Sequence, residues 1–369
     1  MTTKTIIEEK DILDAYDDNV RLYQSFLEEI EHQIKSILQA SGFVVNAVTA
    51  RLKSRESLSE KLKRKPEKYS KLSDITDIVG IRIITYFSED VDRISDIVEN
   101  EFDIDRVNSI DKRESMEPDR FGYCSVHYVV KMSKQRLALR ECVRFQDLKC
   151  EIQIRSVLQH AWAEIEHDLG YKSEITIPKD LRRDFSRIAG LLEIADKEFN
   201  YIRSSLTTYK QTVQVQIENN EILDQDLDAV ILEVFIKQDA NVLKVNKYIE
   251  DLTGVTFEKM SNNQAENIIQ RLKWLGVVTV QQLADMCVKY ADRAIRIAQE
   301  KLKDYREKED RGTISDSIAF FYLCYALLLK EHCNEDQIRK YFEDTNIGIS
   351  STREASAREL YNLGLRLDG

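Results

Sequence analysis

Proline and glycine are scarce, three and eleven in 369 residues. That excludes collagen-like and low-complexity architectures and leaves a compact, helix-rich chain. The six cysteines, Cys124, Cys142, Cys150, Cys287, Cys324 and Cys333, show no CxxC pair and no regular spacing, so reduced thiols fit better than disulfides or zinc. Long apolar runs are missing as well. The longest, Ile318 to Leu329, falls short of the roughly 20 residues that cross a bilayer. The opening MTTKTIIEEKDILDAYDD is charged where a signal peptide requires an apolar core. These absences predict a cytoplasmic protein with no membrane attachment. Positive charge is not in excess either: the net charge is −11. This argues against a general nucleic-acid coat, while local basic patches remain free to serve phosphate.

What is present centres on Cys150 to Lys172. Cys150, Ile152 and Ile154 alternate with Glu151, Gln153 and Arg155, the period of a strand with one buried face and one polar face. From Ser156 the period becomes helical. Leu158, Trp162, Ile165 and Leu169 form a stripe suited to docking on a sheet, while His160, Glu164, His167 and Tyr171 occupy another face. Two polar surfaces are thus expected to meet where strand gives way to helix.

At this length two domains are expected. Residues 6 to 40 carry apolar positions at helical spacing, predicting one or two helices that end near Ser41-Gly42. A basic stretch follows, with Arg51, Lys53, Arg55, Lys61, Lys63, Arg64 and Lys65 ahead of Pro66. It is either a solvated helical face or a phosphate surface. Ile78 to Phe87 reads as a central strand with Asp77 at its entrance and Arg82 embedded in it. A charged Arg82 there needs a carboxylate or a bound anion. Asp90 to Asn100 reads as helix, Glu101 to Asp111 as strand, Lys112 to Arg120 as loop, and Phe121 to Met132 as another strand with Tyr123, Ser125 and His127 on one face. Lys179 to Thr208 reads as one long helix with Ile188, Leu191, Leu192, Ala195, Phe199 and Ile202 as its stripe. Beyond about Glu218 the chain is almost purely helical.

Two carboxylates at strand ends, Asp77 and Glu151, with nearby Arg and Lys and an aromatic Tyr123, are the parts for metal-assisted phosphoryl chemistry on a nucleotide. Carboxylates hold Mg²⁺ through one or two oxygens, cations neutralise the transferring group, and a ring stacks a base. On residue types alone, Asp77 could equally cap a turn and Tyr123 could be core. His160, Glu164 and His167 at helical spacing have no further ligand to complete a separate metal site.

Four blocks nevertheless stand in order: Arg51 to Lys61 (RLKSRESLSEK), Asp77 to Arg82 (DIVGIR), Gly122 to His127 (GYCSVH) and Glu151 to His167 (EIQIRSVLQHAWAEIEH). Together they resemble the synthetase domain of the RelA/SpoT family, the alarmone (guanosine tetra- and pentaphosphate) synthetases, and most closely the small stand-alone ones. The resemblance implies an α/β (α+β) fold, with a mixed, mainly antiparallel sheet of about five strands flanked by helices, nucleotidyltransferase-like, plus an all-α C-terminal domain. The domains implied are a helical scaffold at 1–44, the synthetase domain at 45–215, and a regulatory or oligomerisation domain at 216–369. The implied reaction transfers the β,γ-pyrophosphoryl group of ATP to the 3′ hydroxyl of GDP or GTP and releases AMP. Arg51 and Arg82 would sandwich the adenine, and Lys53, Ser57, Lys61 and Arg64 would hold the ATP phosphates. Asp77 would ligate Mg²⁺. Glu151 would share the metal or accept the hydroxyl proton, with Gln153 steadying it. Tyr123 would stack the acceptor base near His160 and Glu164, and His127 and Arg120 would lie near the acceptor phosphates. Toxic relatives suggest a second acceptor class, adenine nucleotides or the 3′ end of tRNA, with the C-terminal region as a restraint. The segment before residue 45 is too short for the hydrolase domain of larger members, so synthesis without breakdown is expected. A homo-oligomer is also expected.

The resemblance stops near residue 215. Arg271 to Met286 reads as helix, glycine turn and helix, with Thr279 and Gln282 as a capping box. Such a hairpin could grip a nucleic-acid backbone, though Trp274, Leu275, Val277 and Leu283 are more simply core. Thr313 and Asp316 are expected to open a helix containing the Ile318 to Leu329 run. That helix would be either a bundle centre or a dimerisation face.

Overall fold

The computed structural model describes residues 9–65, 68–111, 125–171, 179–219, 221, 224–303, 312–331 and 334–368. The chain divides into two compact units, Met1–Ser204 and Ser205–Gly369.

The first unit opens with a single helix, α1 (Glu9–Ala40). It buries Ile12, Tyr16, Tyr23, Phe26, Ile30, Ile34 and Leu38, a spacing of three and four that keeps one stripe inward. It stops where Gly42 adopts φ 71° and Phe43 N–H donates to the Leu38 carbonyl at 2.9 Å, a left-handed cap that glycine takes without a Cβ penalty. β1 (Ala47–Leu52) and α2 (Arg55–Arg64) follow, then β2 (Val79–Thr85), α3 (Glu89–Glu101), β3 (Phe102–Ile104), β4 (Ile110–Asp111), β5 (Val126–Met132), a short α4 (Lys134–Leu137), β6 (Cys150–Ser156) and α5 (Val157–Tyr171). The sheet order is β1-β2-β6-β5-β3, with β4 also on β5. Only β2 and β6 run parallel, and the other pairs are antiparallel. The mixed, mainly antiparallel sheet expected from the sequence is what forms.

Register decides what each face carries. Ile81, Ile152 and Tyr128 stand side by side, as do Ile83, Ile154 and Val126, and this face joins α1 in one core. On the opposite face, Thr49, Arg82, Gln153 and His127 form one row, with Arg51, Gly80 and Glu151 in the next. The side-chain period of two therefore collects the polar groups of four strands on one surface. The stretch expected as one strand from Glu101 to Asp111 breaks into two. Asp105 side-chain oxygens accept from Asn108 N–H at 3.2 Å and from its amide at 2.8 Å, a local turn that competes with the ladder.

Helix α6 (Lys179–Glu218) is longer than expected, at 40 residues. Within the first unit Arg203 pairs with Asp90 at 2.7 Å, Asn200 with Ser88 at 2.7 Å, and Ser156 with Asp196 at 2.7 Å. Its expected docking stripe is corrected: Ile188, Leu191, Phe199 and Ile202 are exposed. So is Ile165 on α5, whereas Trp162 is buried and meets Phe185 edge-on at 5.4 Å. Helical period marks an apolar face without saying what covers it.

The second unit contains α7 (Ala229–Gln238), α8 (Ala240–Thr253), β7 (Thr256–Glu258), α9 (Asn262–Trp274), α10 (Val280–Leu302), β8 (Thr313–Ser315), α11 (Ile318–Glu331), α12 (Glu335–Asp344) and α13 (Arg353–Asp368). The expected helices dominate, with one addition: β7 and β8 pair as a two-stranded parallel ribbon. Thr313 thus lies in a strand, and the helix begins later, at Ile318. The apolar α11 is enclosed, with Phe320, Leu323, Ala326 and Leu328 at 0 % exposure, so it is the centre of this unit's core. The turn between α9 and α10 has Gly276 at φ 80° and the expected Thr279–Gln282 capping box. Leu272, Leu275, Val277 and Leu283 are buried there, as core residues. No helix among the described residues is long and apolar enough to cross a membrane.

Candidate active site

Both acids sought from the sequence open on one cleft of about 110 Å³. Asp77 and Glu151 line it together with Thr49, Arg51, Gly80, Arg82 and Gln153. Asp77 sits just before β2, where a lysine of α2 and another from the β1–α2 connection reach it. Lys61 Nζ lies 2.7 Å from Oδ1 and Lys53 Nζ 3.1 Å from Oδ2. Lys53 is fixed further by the Tyr16 hydroxyl, which donates to its carbonyl at 2.6 Å. Asp77 thus carries an ammonium on each carboxylate oxygen, positions for which a cation bound in the cleft would compete.

Glu151 is the centre of a side-chain chain. Its Oε1 lies 3.1 Å from His127 Nδ1, and its Oε2 accepts from the Gln153 amide at 3.1 Å. His127 Nε2 meets Ser125 Oγ at 2.7 Å. On the far side Arg155 Nη2 donates to Gln153 Oε1 at 2.5 Å. Burial pushes the Glu151 carboxyl up. The hydrogen bond and charge of His127, the Gln153 amide and the nearby Lys61 ammonium outweigh it and hold the group at about 2. Glu151 is therefore a fixed negative charge at neutral pH.

Arg82 finds a carboxylate: its Nη1 donates to Glu164 Oε1 on α5 at 2.8 Å, while its Nε is buried with no hydrogen-bond partner. His160 Nδ1 lies 3.8 Å from the same Glu164 oxygen. Burial lowers the His160 pKa, helped by the Arg155 and Arg82 charges against the opposing pull of Glu164, so its ring is neutral at pH 7. Residues placed on the donor side by resemblance (Arg82) and on the acceptor side (Glu164) thus touch one another here.

The other expected residues fall at varying distances from this centre. Ser57 is exposed in the first turn of α2, where its N–H and hydroxyl meet the cap Ser54 Oγ at 3.2 and 3.1 Å. Arg64 is exposed at the end of α2, 3.3 Å from Glu60, and does not line the cleft. His167 is exposed. Tyr123 and Arg120 lie outside the described residues. Arg155 and Ser125, placed on these polar faces by the sequence pattern but given no part in the site, are contacts of it. The strand alternation that exposed Glu151 and Gln153 also puts Arg155 on their face, the one signal available.

Among the described residues no group of three or more His, Cys, Asp or Glu side chains is arranged to hold a metal. Two acids around one cleft suit a hard divalent cation that completes its shell with substrate phosphates and water, and Asp77 would take that cation in exchange for its two lysines.

Residues 50–176 match the family model described as "Region found in RelA / SpoT proteins", so this third of the chain is a RelA/SpoT-type region. The chain is homologous to two proteins of Bacillus subtilis (strain 168). It is 25% identical to GTP pyrophosphokinase YwaC over 205 residues, which is 53% of this chain and 94% of the relative. It is 28% identical to GTP pyrophosphokinase YjbM over 190 residues, which is 50% of this chain and 86% of the relative. Among solved structures, the small alarmone synthetase 1 of Bacillus subtilis aligns with a TM-score of 0.44 at 26% identity, covering 53% of this chain and 99% of that one.

Proposed function

We propose that the chain is an ATP:nucleotide 3′-pyrophosphotransferase that makes guanosine tetra- and pentaphosphate from ATP and GDP or GTP. The observation that carries this reading is the shared cleft of Asp77 and Glu151, flanked by Arg51, Arg82, Lys53 and Lys61. The homology of this region to two GTP pyrophosphokinases supports it.

In the reaction, the acceptor 3′ oxygen attacks the β-phosphorus of ATP. The bond from that phosphorus to the α,β-bridging oxygen breaks, and AMP leaves with the bridging oxygen. Lys53 and Lys61 turn from Asp77 toward the triphosphate and neutralise charge as it spreads over the transferring group. Arg51, which has no ion-pair partner among the described residues, and Arg82 grip the adenine. The hydroxyl proton passes to the Glu151–His127 pair. Held near 2, Glu151 alone accepts a proton poorly at neutral pH. Asp77 and Glu151 would hold Mg²⁺, which supplies charge neutralisation between donor phosphates when bound. Tyr123, Arg120, His160 and Glu164 are assigned to the acceptor. We place the protein in the cytoplasm and assign a homo-oligomer, supported by the exposed Ile188, Leu191, Ile194 and Ile202 along α6.

Incubation of the purified chain with γ-labelled ATP and, separately, GDP, GTP, ATP or tRNA tests the reading. Label entering GDP or GTP with stoichiometric AMP is the expected result. Label entering only ATP-derived product or tRNA would transfer the reaction to the other acceptor class, and label confined to ATP would end the proposal.

A further inference from the structure

The second unit carries a cleft of about 350 Å³ between α9, the β7–β8 ribbon and the first turns of α11. Arg271 lies in it, its guanidinium carbon 5.4 Å from the centre of the Phe321 ring. That stacking fixes the guanidinium plane without using its N–H groups. Arg271 Nε is buried with no hydrogen-bond partner, and no carboxylate among the described residues lies within ion-pair distance. Arg271 as a whole is half-buried, and a buried N–H left this way is costly unless something else supplies an acceptor. Around it stand further hydrogen-bonding groups: the Asn267 amide, one turn before Arg271, and the hydroxyls of Ser315 and Ser317, 2.8 Å apart. Asn267 makes no side-chain hydrogen bond among the described residues. One acid, the exposed Glu258, stands in the lining too. It forms no ion pair with Arg271, which leaves its carboxylate to accept from a donor.

We propose that this cleft binds a small molecule through an oxyanion, a carboxylate or a phosphate, seated on Arg271 and the two serine hydroxyls, with a donor group of the same molecule turned to Glu258. A planar fork offering paired N–H donors beside hydroxyls is the arrangement that recognises either oxyanion. The site lies wholly within residues 258–321, so the proposal does not rest on the pyrophosphotransferase reading.

The chain's two tryptophans make the test local. Trp162 belongs to the first unit, while Trp274 is one turn beyond Arg271 and packs edge-on against Tyr341 at 5.1 Å. Full-length protein labelled with 5-fluorotryptophan would be titrated with inorganic phosphate and with acetate at constant ionic strength, following both ¹⁹F resonances. The expected result is a saturable movement of the Trp274 resonance, reduced at least fivefold in Arg271→Met while the Trp162 resonance stays at its wild-type position. Should Arg271→Met fail to fold, Ser315→Ala and Asn267→Ala carry the test, each raising the titration midpoint severalfold. Response to phosphate at lower concentration than acetate assigns a phosphorylated ligand, and the reverse order a carboxylate. A Trp274 resonance that moves for neither anion, or moves equally in the variants, overturns the proposal.

Discussion

Among the described residues each unit buries one arginine almost completely, and the two are treated differently. In the second unit Arg293, 8 % exposed, is met by both oxygens of Asp368 at 2.5 and 2.9 Å, a fork-to-fork pair that closes its own charge. In the first unit Arg155, 5 % exposed, has among the described residues only the Gln153 amide oxygen as a side-chain partner and no carboxylate, while the Nε of both arginines is without a hydrogen bond. Burial together with the neighbouring Arg82 and Arg51 charges lowers its pKa to about 10, against the pull of Glu164 and Glu151. A scaffold has no reason to gather like charges this way. A surface that receives a polyanion does, because the incoming phosphates complete the balance. The lysines on Asp77 fit the same logic, being paired now and positioned to be drawn off.

The largest expected effect breaks the comparison at its acids. Asp77→Asn and Glu151→Gln should each lower turnover by about 10²–10³, the scale of removing a group that stabilises developing charge. Asp368→Asn, the matching change in the other unit, should leave turnover unaltered. It should cost about 1–3 kcal/mol of stability in urea unfolding, because Arg293 loses the carboxylate charge and one of its two acceptors. A turnover loss in Asp368→Asn as deep as that in Asp77→Asn would erase the distinction between the units.

A middle-sized effect is expected at Arg155 itself. It touches Gln153, which touches Glu151, so it acts as a positioning residue. Arg155→Met should lower kcat about tenfold with KM for ATP little changed, a cost of loosened geometry. Arg155→Lys should recover part of the loss. Equal losses in the two variants, or a change confined to melting temperature, would reduce Arg155 to a packing residue.

Much of this site was legible in sequence because β6 and α5 announce themselves. Cys150, Ile152 and Ile154 alternate cleanly, and the change of period at Ser156 falls one residue before the helix. Asp77 and Arg82 could be read because charge stands out beside a continuous apolar strand. β1 was harder. Its sequence AVTARL lies at the sheet edge with no fully buried position, so its apolar signal is diluted. The Ser125–His127–Glu151–Gln153–Arg155 chain depends on the register of β5 against β6, which no single strand encodes. Exposed Leu191 and Ile202 were expected inside because periodicity reports a face and not its covering. The Arg271 cleft was invisible for a related reason: its parts come from α9, β8 and α11, some 50 residues apart.

The smallest effect sharpens the comparison through pH and salt. Glu151 and Glu233 are both held at about 2. In each case burial raises the group and closer partners overcome it: His127, Gln153 and Lys61 for the first, and Lys210, Lys237 and Lys259 for the second. A carboxyl lowered on folding contributes stability that is full above its unfolded value, near 4.3, and lost as pH falls from there through about 2. Stability measured from pH 5 down to pH 3 should therefore fall less steeply in Glu151→Gln and in Glu233→Gln than in the unaltered chain. Salt should separate them. Two of the Glu233 lysines are well exposed, Lys237 at 57 % and Lys259 at 68 %, whereas the His127 side chain is 14 % exposed. Raising ionic strength should thus flatten the Glu233 contribution and leave most of that of Glu151. An identical salt response in the two variants would mean that both acids feel the same solvent, against the lower exposure of the His127–Glu151 pair.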